Sequence, residues 1–190
     1  MRTRNITAFA ALVISIGLIG CTTGPPAENT AAAPPDATPA ITAVADLSPT
    51  AGKTVRGTVA FTQEAGGVHI IAELSGLAPG EHGFHIHETG DCSAPDAASA
   101  GDHFNPSAST HGAPDAPARH LGDLGNITAD ASGNARYDRV DPRISLEGEQ
   151  SVIGRSIVVH AGADDMTSQP AGASGARAAC GVINRPGGAG

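Results

Sequence analysis

The stretch Gly83-Phe84-His85-Ile86-His87-Glu88-Thr89-Gly90-Asp91-Cys92 sets two histidines on either side of an isoleucine, with a cysteine five residues after the second. In a β-strand successive side chains point to opposite faces, so Phe84 and Ile86 share one face and His85 and His87 the other. The apolar pair belongs to a core, which turns both imidazoles outward, side by side. Such a pair can grip a metal ion. Exposed histidines on the wet side of a strand are also common, and the tripeptide alone leaves both readings open.

The same period of two recurs on either side. "TVRGTVAF" alternates Val55, Gly57, Val59 and Phe61, and "VHIIAEL" alternates Val68, Ile70, Ala72 and Leu74, with Gly66-Gly67 between them as a hairpin turn. "LGNITADASGNARY" repeats the arrangement around Ser132-Gly133-Asn134, and "GRSIVVH" is a further short β run. No stretch sustains a helical repeat over three turns, so the expected class is all-β, an antiparallel sandwich or small barrel. Two long Gly/Pro/Ser-rich segments, 88–120 and 161–179, interrupt it; loops of that length usually carry function or are disordered.

With 190 residues, 25 Gly, 14 Pro, four Phe, one Tyr and no Trp, the chain is expected to hold a single domain whose core is mostly Val, Ile, Leu and Ala. Arg2 and Arg4 precede an apolar run, Ile6 to Gly20, that is too short to span a bilayer comfortably and reads as a secretory signal peptide, residues 1–20. The run ends Leu18-Ile19-Gly20-Cys21, which resembles a bacterial lipobox. There the peptide is cleaved before the cysteine and Cys21 becomes a lipid-carrying N-terminus, enough for stable anchoring when two or more acyl chains are attached. Residues 21–50 then read as the lipidated cysteine and a disordered Ala/Pro/Thr-rich tether, and 51–190 as the folded domain. Cys92 and Cys180 remain as an even pair in an oxidising setting, for which a disulfide is the economical reading. Closing a loop of about 90 residues would contribute roughly 4 to 5 kcal/mol in the chain-entropy picture. The formal charge of −8 becomes −10 once Arg2 and Arg4 are removed, with 9 basic against 19 acidic residues, so nucleic acid is excluded as a partner.

What tips the balance on His85 and His87 is the long loop that follows, which holds His103, His111, His120 and Asp123. By alternation His160 lies opposite Ile157 and Val159, on the outer face of its strand. Six histidines and an aspartate are thus available to one site. Imidazole suits copper and zinc, and one carboxylate among histidines in a closed tetrahedral set suits zinc. Two ions would need a shared ligand, and an imidazole deprotonated on both nitrogens can bridge two cations.

"GFHIHETGDC", "AGDHFNPSASTHG", "RHLGDLGNITAD", "IVVHAGADDM" and "GARAACGVI", in that order from about residue 53 to 184, resemble the copper/zinc superoxide dismutases. The resemblance implies a Greek-key antiparallel β-barrel with long metal-binding and active-site loops. It implies copper on His85, His87, His103 and His160, and zinc on His103, His111, His120 and Asp123, with His103 shared. It also implies Asp164 as a carboxylate linking His85 to His111, Arg177 as the cation that receives the substrate anion, and a Cys92–Cys180 disulfide holding the loop. The implied reaction is dismutation of superoxide to dioxygen and hydrogen peroxide by redox-cycling copper, with His103 and Arg177 catalytic and no organic cofactor. The segment from His160 to Arg177 is shorter than in the animal enzymes and lacks their Glu and Lys cluster, which alters the route by which an anion is steered. His69 and His82 match no ligand of the family and read as solvated surface residues.

The alternative function is a non-catalytic copper/zinc-binding envelope lipoprotein for storage or delivery, but relatives of that kind tend to lose ligands, and every ligand position is present here. An adhesion role for the barrel would not explain the convergence of ligands. The expected location is the bacterial cell envelope, lipid-anchored, facing the periplasm, with Thr22 after Cys21 favouring the outer membrane. The membrane is met only through the N-terminal lipid. Both monomer and homodimer stay open. Glu88 and Asp91 have no assigned role.

Overall fold

A computed structural model describes residues 40–187. The signal peptide, Cys21 and the tether as far as residue 39 lie outside the described residues.

Within them the chain forms eight strands: β1 Thr42–Pro49, β2 Arg56–Glu64, β3 Gly67–Ser75, β4 Gly80–His87, β5 Asp123–Ala129, β6 Ala135–Asp141, β7 Ser156–His160 and β8 Arg177–Val182. They close into an antiparallel barrel in the order β1-β2-β3-β6-β5-β4-β7-β8. The jump from β3 to β6, and the return of β4 beside β7, make it a Greek key. One 3₁₀ turn, Ala98–Ala100, is the only helical element among the described residues.

The alternation read from the sequence is the alternation that fills the barrel. Val59 and Phe61 of β2, Val68, Ile70, Ala72 and Leu74 of β3, and Phe84 and Ile86 of β4 all lie in one buried cluster. Phe84 packs its ring 5.0 Å from that of Tyr137, whose hydroxyl donates to the Leu124 carbonyl at 3.0 Å. β2 and β3 pair from Arg56↔Ser75 to Glu64↔Gly67, so the connecting turn is Ala65-Gly66 and Gly67 already belongs to β3. In the β5–β6 turn the Asp130 carboxylate accepts from the amides of Ser132 and Asn134, at 2.8 and 2.9 Å. That is the local Asx chemistry expected of such a sequence.

One assignment needs correcting. The segment 42–50, taken from its composition as the end of a tether, begins with a barrel strand. β1 pairs with β2 from Thr42↔Thr62 to Leu47↔Gly57 and with β8 at Ser48↔Cys180 and Pro49↔Ala179. Ala43, Ala45 and Leu47 point into the core. Two alanines on the buried face give a weak apolar signal, and only the partner strands turn it into a strand.

The barrel's outer face is not uniformly wet. Every residue of β7 is buried, and so are residues 82–87 of β4. Val158, on the outer side of β7, packs with Ala97, Ala100, Cys180 and the half-buried Cys92, so the 88–122 loop roofs this part of the wall. The disulfide Cys92–Cys180 fastens that roof to β8.

Because Phe84 is fully buried at the centre of the cluster, Phe84→Ala is expected to cost about 3–5 kcal/mol. Chemical denaturation of the disulfide-intact protein measures it, and a loss below about 1 kcal/mol would place Phe84 outside the core.

Candidate metal centre

The centre is built where β4 changes partners. β4 pairs with β5 from Gly80↔Ala129 to Gly83↔Asn126, then the register shifts so that His85 faces Asp123. On its other edge His85 pairs with Val158, and His87 with Ser156. Beyond the shift, residues 103–104 lie alongside the end of β4. Phe104 N–H donates to the Ile86 carbonyl at 2.8 Å, Ile86 N–H to Gly122 at 2.9 Å, and His103 bridges to His87. A Cβ on Gly122 would run into the Ile86 carbonyl and lie 3.0 Å from Phe104 N, so this approach requires glycine. The three-way seam delivers His103 beside His87.

Two groups of ligand-type atoms result: His85, His87, His103 and His160 in one, and His103, His111, His120 and Asp123 in the other. All seven residues are buried, and His103 belongs to both groups. In the first group one nitrogen of each ring is held from behind. His85 Nε2 meets Asp164 Oδ2 at 2.8 Å, and His87 Nδ1 donates to Gly101 O at 2.9 Å. His103 Nδ1 meets Asp123 Oδ1 at 2.8 Å, and His160 Nδ1 donates to Gly175 O at 3.1 Å. The other nitrogens, His85 Nδ1 and Nε2 of His87, His103 and His160, are buried with no hydrogen-bond partner. An oriented imidazole whose free nitrogen faces a shared point is the arrangement a metal ligand needs.

In the second group three ring nitrogens surround Asp123 Oδ1, those of His103 at 2.8 Å, His111 at 3.0 Å and His120 at 3.1 Å. His111 Nδ1, although 3.0 Å from that oxygen, is not aligned for a hydrogen bond with it. His103 Nδ1 and His120 Nδ1 do hydrogen-bond it, so all three rings converge on this one carboxylate oxygen. Ligands about 2.0–2.1 Å from a tetrahedral ion stand roughly 3.3 Å apart, close to these spacings. Asp164 joins the groups: its Oδ2 takes His85 and its Oδ1 meets His111 Nε2 at 2.9 Å.

Burial sets the charge of the first group. Desolvation pulls His85 down to about 4 and His160 to about 3, and puts His87 well below its ordinary value, so all three are neutral at pH 7 with a lone pair to offer. At His111 burial also opposes charge, but the Asp123 and Asp164 carboxylates against its two nitrogens win and raise it to about 9. Burial likewise works against Asp123 and Asp164, and hydrogen bonds from the histidines overcome it, holding both below the usual carboxylate range.

Arg177, at the start of β8 opposite His160, donates from Nη2 to Gly101 O at 2.6 Å and from Nη1 to Ala97 O. Gly101 O thus receives both Arg177 and His87. Arg177 lines a cleft of about 470 Å³ with His87, His103 and His160, and Glu88 and Asp102 stand at the same cleft. Glu88 also has a structural part, its carbonyl accepting from Arg155 Nη1 at 2.9 Å while the Arg155 guanidinium lies 3.3 Å over the Phe104 ring. Asp91 caps its own loop by accepting from Ser93 N–H at 2.8 Å.

His82 corrects an expectation. It is buried, with Nδ1 2.9 Å from His160 O and Nε2 2.8 Å from Ala78 O, and by alternation it lies on the side of Phe84 and Ile86. The nearby Pro and Gly suggested a wet turn, but β4 begins at Gly80. His69 stays on the outer wall, half-buried between Glu64 and Asp138 and apart from both groups. Arg119 went unremarked in the sequence: fully buried, it binds both oxygens of Asp141 at 2.8 and 2.6 Å and the carbonyls of His120 and Leu121 at 2.9 Å. It pins the ligand segment 120–123 to the end of β6.

Residues 55–183 match the profile of the family described as copper/zinc superoxide dismutase (SODC). The chain belongs to the copper/zinc superoxide dismutase family. The solved structure of the clock protein EA4 is similar to it, with 44% sequence identity and a TM-score of 0.71, covering 79% of this chain and 98% of that one. The family binds copper and zinc, and the two residue groups fit that pair of ions: four imidazole nitrogens without partners suit copper, and three imidazoles with one carboxylate suit zinc.

The charge states give a pH prediction. In the metal-free protein His85 and His160 titrate lower when folded than the unfolded value of about 6.5, so the unfolded chain takes up protons first as pH falls. Their contribution is intact above about 6.5 and is lost as pH falls through the folded values. His111 has the opposite sign, its contribution being present below about 6.5 and lost as pH rises through about 9. Zinc must displace the His111 proton, so calorimetry in buffers of different ionisation enthalpy at pH 7 should show release of about one proton per ion. Heats identical in all buffers would contradict a protonated His111.

Proposed function

We propose that this chain dismutes superoxide to dioxygen and hydrogen peroxide, with copper on His85, His87, His103 and His160 and zinc on His103, His111, His120 and Asp123. The observation that carries the reading is the set of buried, partnerless ring nitrogens in two groups that share His103. Copper held there supplies one-electron redox chemistry with superoxide in both directions, while zinc supplies fixed charge.

The chain's own residues do the rest. His103 has Nε2 facing the cleft and Nδ1 on the Asp123 side, so it can share its two nitrogens between the groups or hold a proton at Nε2 for delivery into the cleft. Arg177, fixed by two carbonyls, presents its remaining N–H groups and a permanent positive charge to an arriving anion. Asp164 keeps the His85 and His111 rings in orientation from outside both groups. The disulfide and the Gly101 carbonyl hold Arg177 and His87 in fixed relation.

A non-catalytic metal-binding role is the second reading, favoured by a similar structure that is described as a clock protein and not by a reaction. Metal analysis with an activity gel separates the two. Dismutation predicts one copper and one zinc per chain and superoxide-scavenging activity abolished by copper chelation; loaded protein without chelator-sensitive activity refutes it. His103→Ala should uncouple the ions and alter the copper spectrum, and an unchanged spectrum would count against sharing.

The same proposal places the protein in the bacterial cell envelope, anchored through Cys21 and facing the periplasm, with the outer membrane favoured by Thr22. The Arg2/Arg4 start, the apolar run and the Leu18-Ile19-Gly20-Cys21 junction support it, and the Cys92–Cys180 disulfide fits an exported, oxidising setting. Cys21→Ser should move the protein from the membrane to the soluble fraction. Unchanged membrane retention would refute the anchor.

A further inference from the structure

We infer that Gln169 is a positioning residue for the zinc ligand His111, acting through the ligand's backbone; the inference rests on the zinc assignment above. Gln169 belongs to the shortened 161–176 segment and is itself exposed. Its amide nevertheless pairs in both directions with the backbone N–H and C=O of one residue, His111. His111 N–H donates to Gln169 Oε1 at 2.9 Å, and Gln169 Nε2 donates to His111 O at 3.0 Å. The second Nε2 hydrogen is used on Thr167 O at 3.1 Å, so both amide donors are engaged.

An exposed glutamine ordinarily keeps its rotamer freedom in water, and fixing it costs entropy. Here the turn that carries it is already built. Asp165 Oδ1 accepts from the amides of Thr167 and Ser168, at 2.9 and 2.8 Å, and Gly172 N–H donates to Ser168 O at 2.7 Å. Gly172, at φ +66°, lies against the Asp164–His111 link, where a Cβ would be 2.7 Å from His111 Nε2. The same device appears on the other side of that link. Asn126 of β5 accepts from Asp164 N–H at 2.7 Å and donates to Asp164 O at 2.9 Å.

His111 is therefore held at four polar atoms: its amide and carbonyl by Gln169, Nε2 by Asp164, and Nδ1 beside Asp123. The ring contacts set the direction of the imidazole; its backbone is fixed against sliding along the 103–122 loop by the Gln169 pairing and, in the next amide, by Gly112 N–H donating to Asp123 Oδ2 at 3.1 Å. Pro170 and Ala171, directly after Gln169, form part of the cleft wall that includes His87, His103 and Arg177. One glutamine thus ties the zinc loop to the wall of the copper cleft.

The test compares the full-length protein with Gln169→Met, similar in size but without the amide, and with Thr167→Ala, whose lost hydroxyl bonds only to Asp165 within the same turn. Zinc affinity is read by chelator competition at pH 7, and geometry by the visible spectrum of Co(II) placed in the zinc group. The expected result is a zinc dissociation constant about tenfold or more higher in Gln169→Met with a changed Co(II) spectrum, and neither change in Thr167→Ala. Copper affinity should hold in both, since Gln169 touches none of its four histidines. Zinc affinity and Co(II) spectrum unaltered in Gln169→Met would overturn the inference, and so would an equal effect from Thr167→Ala. If Gln169→Met does not fold, Gln169→Ala is judged by the same two readouts. A wild-type protein that takes up no zinc refutes the zinc assignment instead, which keeps the two failures apart.

Discussion

Four buried ring nitrogens, one each on His85, His87, His103 and His160, have no hydrogen-bond partner, and a fifth, His111 Nδ1, has only a misaligned Asp123 oxygen 3.0 Å away. A polar atom buried in that state costs about 1–3 kcal/mol, and proteins rarely accept several in one place without a compensating ligand. Here the cost is concentrated on a single patch of the barrel wall. The remaining nitrogen of each ring is bound to a carbonyl or carboxylate, so no ring can swing to satisfy the free one without breaking a bond already made. A cation at each of two points removes the penalty and neutralises Asp123 at the same time. The metal-free fold is in this sense poised.

The covering that keeps these atoms dry is made of loop, not of barrel. A strand's outer face is normally wet, and only the 88–122 and 161–176 segments exclude water here. Loops hold a defined shape only where something ties them down, and five such ties are the Cys92–Cys180 bond, the Arg119–Asp141 pair, the Gly101 carbonyl shared by His87 and Arg177, the Asn126 amide on the Asp164 backbone and the Gln169 amide on the His111 backbone. The Arg119–Asp141 pair is buried on both sides, so loss of either partner would strand a charge in the interior, a cost of about 3–5 kcal/mol. It fixes the segment bearing His120 and Asp123.

Alternation alone was enough to orient Phe84, His85, Ile86 and His87, because the core is apolar and the period of a strand is two. The seven residues of the two groups could be gathered from the sequence because a Gly/Pro-rich loop has little other use for so many histidines. What alternation cannot tell is whether an outward face is covered, and so the burial of His85 and His160 was not legible. β1 escaped because its inward residues are Ala43, Ala45 and Leu47, which resemble the Ala-rich stretch before them. His82 was misjudged from its neighbours Pro79 and Gly80, whose turn ends just before it. Arg119 and Gln169 gave no local signal, since Asp141 and His111 are distant in sequence and only the folded chain brings them near.

An acidic protein whose proposed substrate is an anion faces repulsion over most of its surface, so attraction at the cleft must come from the charges that stand there. Charges on the far side of the barrel lie beyond the screening length of about 8 Å at physiological ionic strength and contribute little at the cleft. Within that range stand Arg177 and, when loaded, two divalent cations, against Glu88 and Asp102 at the same cleft. The low-dielectric walls made by buried β4 and β7 strengthen whatever charge stands at the foot of the cleft relative to charge at its mouth. Attraction therefore depends on the ions and Arg177 sitting deep and the carboxylates sitting shallow. Burial supports that order: the histidines of the first group are almost fully enclosed and Arg177 is half-buried, whereas Glu88 and Asp102 are exposed. The 161–176 segment carries no lysine, so under the proposed reaction steering would rest on depth, not on a ring of surface cations.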